Sequence, residues 1–178
     1  IDDLAEELNF SRSALSPVIS DITTYFRNHQ LTILHKKGKG IKLTGSEINY
    51  RMAIIQLIGP LHHQTLIQKD ETAYNQFVYC DRDLFLAIRR EFKIFISGSG
   101  IHFTDAMFIW LSFYLIVLMN RRKHGYSIEA SPAFDFLNQT AFFQPAAALF
   151  EHLSQSFPSD FNVDINEVYQ FAALMMSR

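Results

Sequence analysis

The sequence predicts a mainly α protein in two parts: a leading module of two helices and one β-hairpin, then an all-helical bundle. Three observations carry this. Apolar residues recur at helical spacing over most of the chain, and the period turns extended only around residues 31–45. Hydrophobic residues make up 48% and charged residues 19% of the 178 positions, which excludes a disordered chain. Most of the 17 Phe residues fall after residue 80, which suits tightly packed helices.

Asp3 to Asn9 reads as a short helix with Leu4, Ala5 and Leu8 on one face. Ser11 or Ser13 can cap a second helix, because a hydroxyl there accepts a free backbone N–H of the first turn. That helix runs to Arg27, with Leu15, Val18, Ile19, Ile22 and Tyr25 at helical spacing. Pro17 is harmless in a first turn; deeper in, it removes a hydrogen bond. Leu31, Ile33 and His35 share one face of an extended run, although Leu34 interrupts the alternation. Ile41, Leu43 and Gly45 follow the loop Lys37-Gly38-Lys39-Gly40, so the two runs predict a β-hairpin. Ser46 caps a helix expected to stop at Ile58, before Gly59-Pro60.

Residues 61–79 show no clear period. Later helices are expected at 81–95, 104–123, 131–139, 144–156 and 164–177. Ser97-Gly98-Ser99-Gly100 is expected to separate the first two. Thr104, Ser131 (with Pro132 just inside) and Asp164 are the expected caps. Phe157-Pro158-Ser159 breaks the chain before the last helix.

Formal net charge is −2, which excludes a uniformly basic nucleic-acid coat but not a local patch. Such a patch exists. Between residues 11 and 51 the cations are Arg12, Arg27, Lys36, Lys37, Lys39, Lys42 and Arg51, against only Asp21 and Glu47. That excess is a footprint for a polyanion. The single cysteine, Cys80, cannot form an intramolecular disulfide, which points to the cytoplasm and a structural thiol. The chain opens on acidic residues without Met, so no signal peptide is expected, and the chain is expected to be a fragment or to lack its disordered start. The apolar run Ala106 to Met119 is shorter than the roughly 18–20 residues a bilayer needs and predicts a buried core helix, not a membrane span.

A short helix, a tight turn, a second helix and a basic hairpin is the order of a winged helix-turn-helix. The line Asp3-Leu4-Ala5-Glu6-Glu7-Leu8-Asn9-Phe10-Ser11-Arg12-Ser13-Ala14-Leu15 resembles the corresponding segment of bacterial transcription regulators. The resemblance implies a small Ala5 where the two helices cross, Phe10 plugging the turn, and a capping Ser11 whose helix points its first turn at DNA. It also implies that an earlier helix of the module precedes this sequence. Gly38-Lys39-Gly40-Ile41-Lys42-Leu43-Thr44-Gly45-Ser46-Glu47 resembles the wing of the same regulators. Its glycines permit the tight turn. The implied DNA-binding residues are Ser11, Arg12, Ser13 and Ser16 toward the major groove, with Lys36, Lys37, Lys39 and Lys42 toward phosphates. Pro17 departs from the pattern, since relatives carry a polar or basic residue there. The module is placed at residues 1–58.

Residues 65–178 resemble the phosphotransferase-system regulation domain (PRD), an all-helical module of sugar-operon regulators (LicR/MtlR/Mga-like). Tyr114-Leu115-Ile116-Val117-Leu118-Met119-Asn120-Arg121, then Gly125-Tyr126-Ser127-Ile128, is similar to one of its motifs; Glu167 to Ser177 is similar to another. The family is phosphorylated on histidine, which changes charge at a dimer interface. Its positions fall on Tyr114, Arg121, Glu167 and Leu174, so both usual acceptors are replaced. The resemblance therefore implies a dimerisation and relay unit with its switch elsewhere, binding double-stranded DNA as a homodimer beside phosphotransferase-system proteins. A related group of virulence activators shares the module order.

Other readings are weaker. His29, His35, His62, His63, His102, His124 and His152 read as ordinary solvated histidines, with His102 and His152 the surface candidates for phosphorylation. The pair His62-His63 cannot chelate one ion from a regular helix face, so no metal and no cofactor is expected. No Ser/His/Asp arrangement, P-loop or functional carboxylate pair points to an enzyme. An RNA antiterminator would carry a β-barrel in front, which residues 3–27 do not. A ligand pocket among Phe108, Phe113, Phe134, Phe136, Phe142, Phe143 and Phe150 stays open, with core packing favoured. Trp110 and Tyr114, four apart, are expected inside or at a dimer seam. Arg89-Arg90 and Arg121-Arg122-Lys123 are expected as solvated helix edges or partners of carboxylates across a dimer.

Overall fold

The computed structural model describes residues 2–36, 40–68, 82–159, 161 and 163–177. These fall into two compact units, Ile1–Ala53 and Ile54–Arg178.

The first unit holds α1 (Asp2–Glu7), α2 (Arg12–Asn28), β1 (Thr32–Lys36), β2 (Gly40–Thr44) and the start of α3 (Glu47–Gln68). The strands pair antiparallel, with Thr32 opposite Thr44, Ile33 opposite Leu43 and His35 opposite Ile41. Ala5, Leu15 and Leu31 are buried, the small Ala5 where α1 meets α2. Ser46 caps α3 as expected, its Oγ accepting from Asn49 N at 3.2 Å.

Gly59-Pro60 does not stop α3, contrary to the sequence expectation; the helix continues to Gln68. Proline removes one helical hydrogen bond and its ring crowds the Cβ of the residue before it. Here that residue is Gly59, which has no Cβ to crowd. Residues 69–81 lie outside the described residues, as does the expectation placed on Cys80.

The second unit holds the rest of α3, α4 (Arg82–Ser99), α5 (Asp105–Lys123), a 3-10 helix (Pro132–Gln139), α6 (Phe143–Ser156) and α7 (Ile165–Met176). α4 packs on α5 and α6, while α6 and the 3-10 helix pack on α7. A cluster of aromatic rings fills the centre. Phe92 stacks on Phe108 at 5.1 Å between centroids, and Phe171 sits against Phe92, Tyr114 and Phe150 at 6.2, 6.0 and 5.4 Å. Leu111 to Met119 are all buried, as the apolar run predicts. No helix among the described residues is long and apolar enough to cross a membrane.

Two expectations for this unit are corrected. Ser97-Gly98-Ser99 belongs to α4 rather than to a separating loop. Ser97 Oγ donates to the Lys93 carbonyl and Ser99 Oγ to that of Ile96, so both hydroxyls bond back along the helix. The helix expected at 131–139 is a 3-10 helix, Pro132–Gln139, opened by an i to i−3 bond from Phe134 N to the Ser131 carbonyl.

Candidate nucleic-acid interface

The turn between α1 and α2 is made by the main chain. Asn9 is left-handed at φ 57°, Phe10 N donates to Ala5 O at 2.8 Å and Asn9 N to Glu6 O at 3.1 Å. These two bonds are the Schellman closure of a helix end, with Asn supplying the left-handed position that a short polar side chain tolerates. Phe10 does not plug the turn: it is 53% exposed. With the turn closed by backbone bonds, no side chain is needed inside it.

Ser11 then starts α2. Its Oγ accepts from Ala14 N at 3.2 Å and lies 3.1 Å from Ser13 Oγ. Arg12, Ser13 and Ser16 are exposed on the first two turns while Leu15 is buried beneath them. Three hydroxyls and a guanidinium thus share one helix end, around backbone N–H groups that favour anions. Pro17 lies in the second turn, so the helix lacks the bond that Pro17 would give to the Ser13 carbonyl.

The wing follows. Lys36 closes β1 opposite Gly40, and Lys42 is exposed in β2. Lys37 and Lys39 lie outside the described residues. Arg51, counted in the basic excess, is corrected: its side chain is fully buried, with Nε 2.9 Å from Glu47 Oε1. It is buried on α3, where the i, i+4 spacing lets Glu47 reach it. Two further ties went unnoticed in the sequence. Tyr25 donates its hydroxyl to the Ala53 carbonyl, and burial raises its pKa above the ordinary tyrosine value. Asn49 Nδ2 donates to Gln30 Oε1 at 3.3 Å.

In the second unit, Tyr114 is 1% exposed and Leu174 is also buried. Tyr114 stacks on Trp110 at 6.3 Å, inside the helices. Glu167 is buried and its Oε1 accepts from Ile128 N at 3.4 Å. The Arg121 guanidinium lies 3.6 Å from the Tyr126 ring centroid, so it is a stacked cation rather than a solvated edge. Arg122 Nη1 meets Asp164 Oδ2 at 3.3 Å within the chain, and Arg89 lies over Phe108. His152 is half-buried with Nε2 3.2 Å from Glu91 Oε2, whereas His102 is exposed. Phe113, Phe134 and Phe150 are core, while Phe136 is exposed. Among the described residues no group of three His, Cys, Asp or Glu could hold a metal ion.

A capped helix, joined to a shorter one by a tight turn and followed by a hairpin, is the arrangement of a winged helix-turn-helix. Residues 1–58 match the Mga helix-turn-helix domain. This is a helix-turn-helix domain with a wing. The transcriptional regulator ManR of Bacillus subtilis (strain 168) is 22% identical over 130 residues, covering 73% of this chain and 19% of that protein. The chain thus spans about a fifth of that relative's length. Domain match and relative together support a DNA-binding transcription regulator.

Proposed function

We propose that the chain is the DNA-reading and dimerising part of a cytoplasmic activator of a carbohydrate or phosphotransferase operon. Residues 1–58 bind double-stranded DNA, and residues 65–178 are a PRD-like regulatory domain that pairs two copies. The single observation that carries the reading is the exposed Ser11, Arg12, Ser13 and Ser16 at the start of α2, beside the lysine-bearing hairpin. Two copies give two half-sites, from which helix-turn-helix readers gain register. The chain is a regulator, not an enzyme, and it requires no cofactor.

In this reading Tyr114 and Leu174 stand where relatives place acceptor histidines. Their burial supports a structural role there. Any phosphotransfer from phosphotransferase-system proteins then acts elsewhere in the protein. A second reading, a virulence-type activator, is favoured by the match of residues 1–58 to the Mga domain.

The test is binding of the protein to its own upstream DNA and to a random-sequence duplex across a salt series. The reading expects selective binding whose log affinity falls with log salt by about 0.9 per phosphate contacted. Replacing Arg12 with Ala should cost about 1–3 kcal/mol on the selected site if Arg12 reads a base, and much less on random DNA. Weak binding, equal on both duplexes, defeats the proposal.

A further inference from the structure

The C-terminal end of α2 is clasped to the beginning of α3. Tyr25 bonds to the Ala53 carbonyl, and Gln30 bonds to Asn49. Between these ties lies a close approach of backbone to side chain. Gly45 has φ +149°, and a Cβ built on it would collide with Leu31 Cδ2 and stand 3.2 Å from the Gln30 carbonyl oxygen. Leu31 itself is buried and held by a 2.9 Å bond from its N–H to the Phe26 carbonyl. Gly45 is therefore glycine for two reasons, its φ and the space that Leu31 occupies.

The position of this clasp matters. β1 begins one residue after Leu31 and β2 ends one residue before Gly45. Both stalks of the hairpin leave from the same point, where Thr44 Oγ1 also donates to the Thr32 carbonyl at 3.1 Å. Five residues of strand make a lever of about 17 Å, so a tilt of about 10° at the base moves the far end of β2, at Gly40, by about 3 Å. That is the length of one hydrogen bond to a phosphate.

We infer that Gly45 is a positioning residue for DNA reading: seated on Leu31, it sets where the cationic wing stands relative to the first turn of α2. One duplex then meets both. The inference rests on the DNA-binding reading and adds to it the residue that makes the two contact points act together.

The experiment uses the full chain and a random-sequence duplex, with fluorescence anisotropy across a sodium chloride series. Gly45→Ala is compared with wild type, each with and without the double replacement Lys37→Ala/Lys39→Ala. In wild type, removing both lysines should reduce the salt slope by about 1.8. In Gly45→Ala the slope should already be reduced, and removing the lysines should change it little. Leu31→Ala in the Gly45→Ala background makes room for the added methyl and should restore part of the lysine dependence. Circular dichroism checks that the variants fold. If Gly45→Ala does not fold, Asn49→Ala, which loosens the same clasp without touching Gly45, is read by the same criterion.

A lysine effect as large in the clasp variant as in wild type overturns the inference and leaves the functional reading intact. A wild-type chain that shows no salt-dependent DNA binding removes both.

Discussion

Ser11 has two duties, and one pair of substitutions separates them. Its hydroxyl caps α2 through the 3.2 Å bond from Ala14 N, and the same side chain is exposed at the end of α2 assigned to DNA. Ser11→Ala removes the cap, a loss of about 0.5–2 kcal/mol; exposure and the long bond place it near the low end. Ser11→Asp keeps an acceptor and adds a charge that suits a helix N-terminus, for a gain of about 0.3–1 kcal/mol. A carboxylate roughly 7 Å from a phosphate, screened by water, costs about 0.6 kcal/mol, or about three-fold in Kd. Salt removes most of that cost once the Debye length falls below the separation.

Urea unfolding reads the first effect and anisotropy on a random duplex the second. Ser11→Ala should lower the unfolding midpoint and weaken binding less than Ser11→Asp does, without a change in salt slope. Ser11→Asp should match or exceed wild-type stability yet bind about three-fold more weakly at low salt, with the deficit shrinking as salt rises. Wild-type affinity for Ser11→Asp at low salt would refute the placement of this helix end against DNA.

Three further outcomes test the packing. Phe171→Ala, at the meeting point of Phe92, Tyr114 and Phe150, should lower stability by about 3–5 kcal/mol in urea unfolding, and Phe171→Leu by much less. Glu47→Ala removes a carboxylate from the buried Arg51 and should destabilise by about 1.5–3 kcal/mol, the worth of a hydrogen bond to a charged group; Arg51→Met should be milder than Arg51→Ala. Because the folded pKa of Tyr25 lies above its ordinary value, the folded state holds its proton longer, and stability falls as pH rises past about 10. Tyr25→Phe should flatten that alkaline loss while costing about 0.5–1.5 kcal/mol at neutral pH, both read from unfolding midpoints against pH.

The sequence exposes most clearly the features that depend on local chemistry. Ser46, Thr104 and Asp164 cap their helices where a hydroxyl or carboxylate can reach an N–H two or three residues on. The hairpin was legible because its period and its loop glycines agree. What escaped depends on neighbours. Gly59-Pro60 is a stop by composition, yet α3 runs on to Gln68. Phe10 looks like a core residue, but the bonds that close its turn come from Ala5 and Glu6 carbonyls, which carry no side-chain signature. At the start of α2, the exposed hydroxyls and Arg12 could be read directly. Arg51 counted as surface charge until its burial removed it, and Leu31 against Gly45 is a contact between residues 14 apart.

Three helix ends close by the same backbone pattern, but not on equal terms. Asn9 and Gly125 take the left-handed position at the ends of α1 and α5 cheaply; at the end of α2 the position falls to Gln30, φ 57°. A side chain of that length gains nothing locally from this conformation, which costs it about 1–2 kcal/mol. Glycine would relax the strain and could not reach Asn49. The end of α2 thus keeps a strained backbone position at Gln30 whose side chain grips α3. Gln30→Gly should yield a protein harder to melt and less particular about where its wing stands.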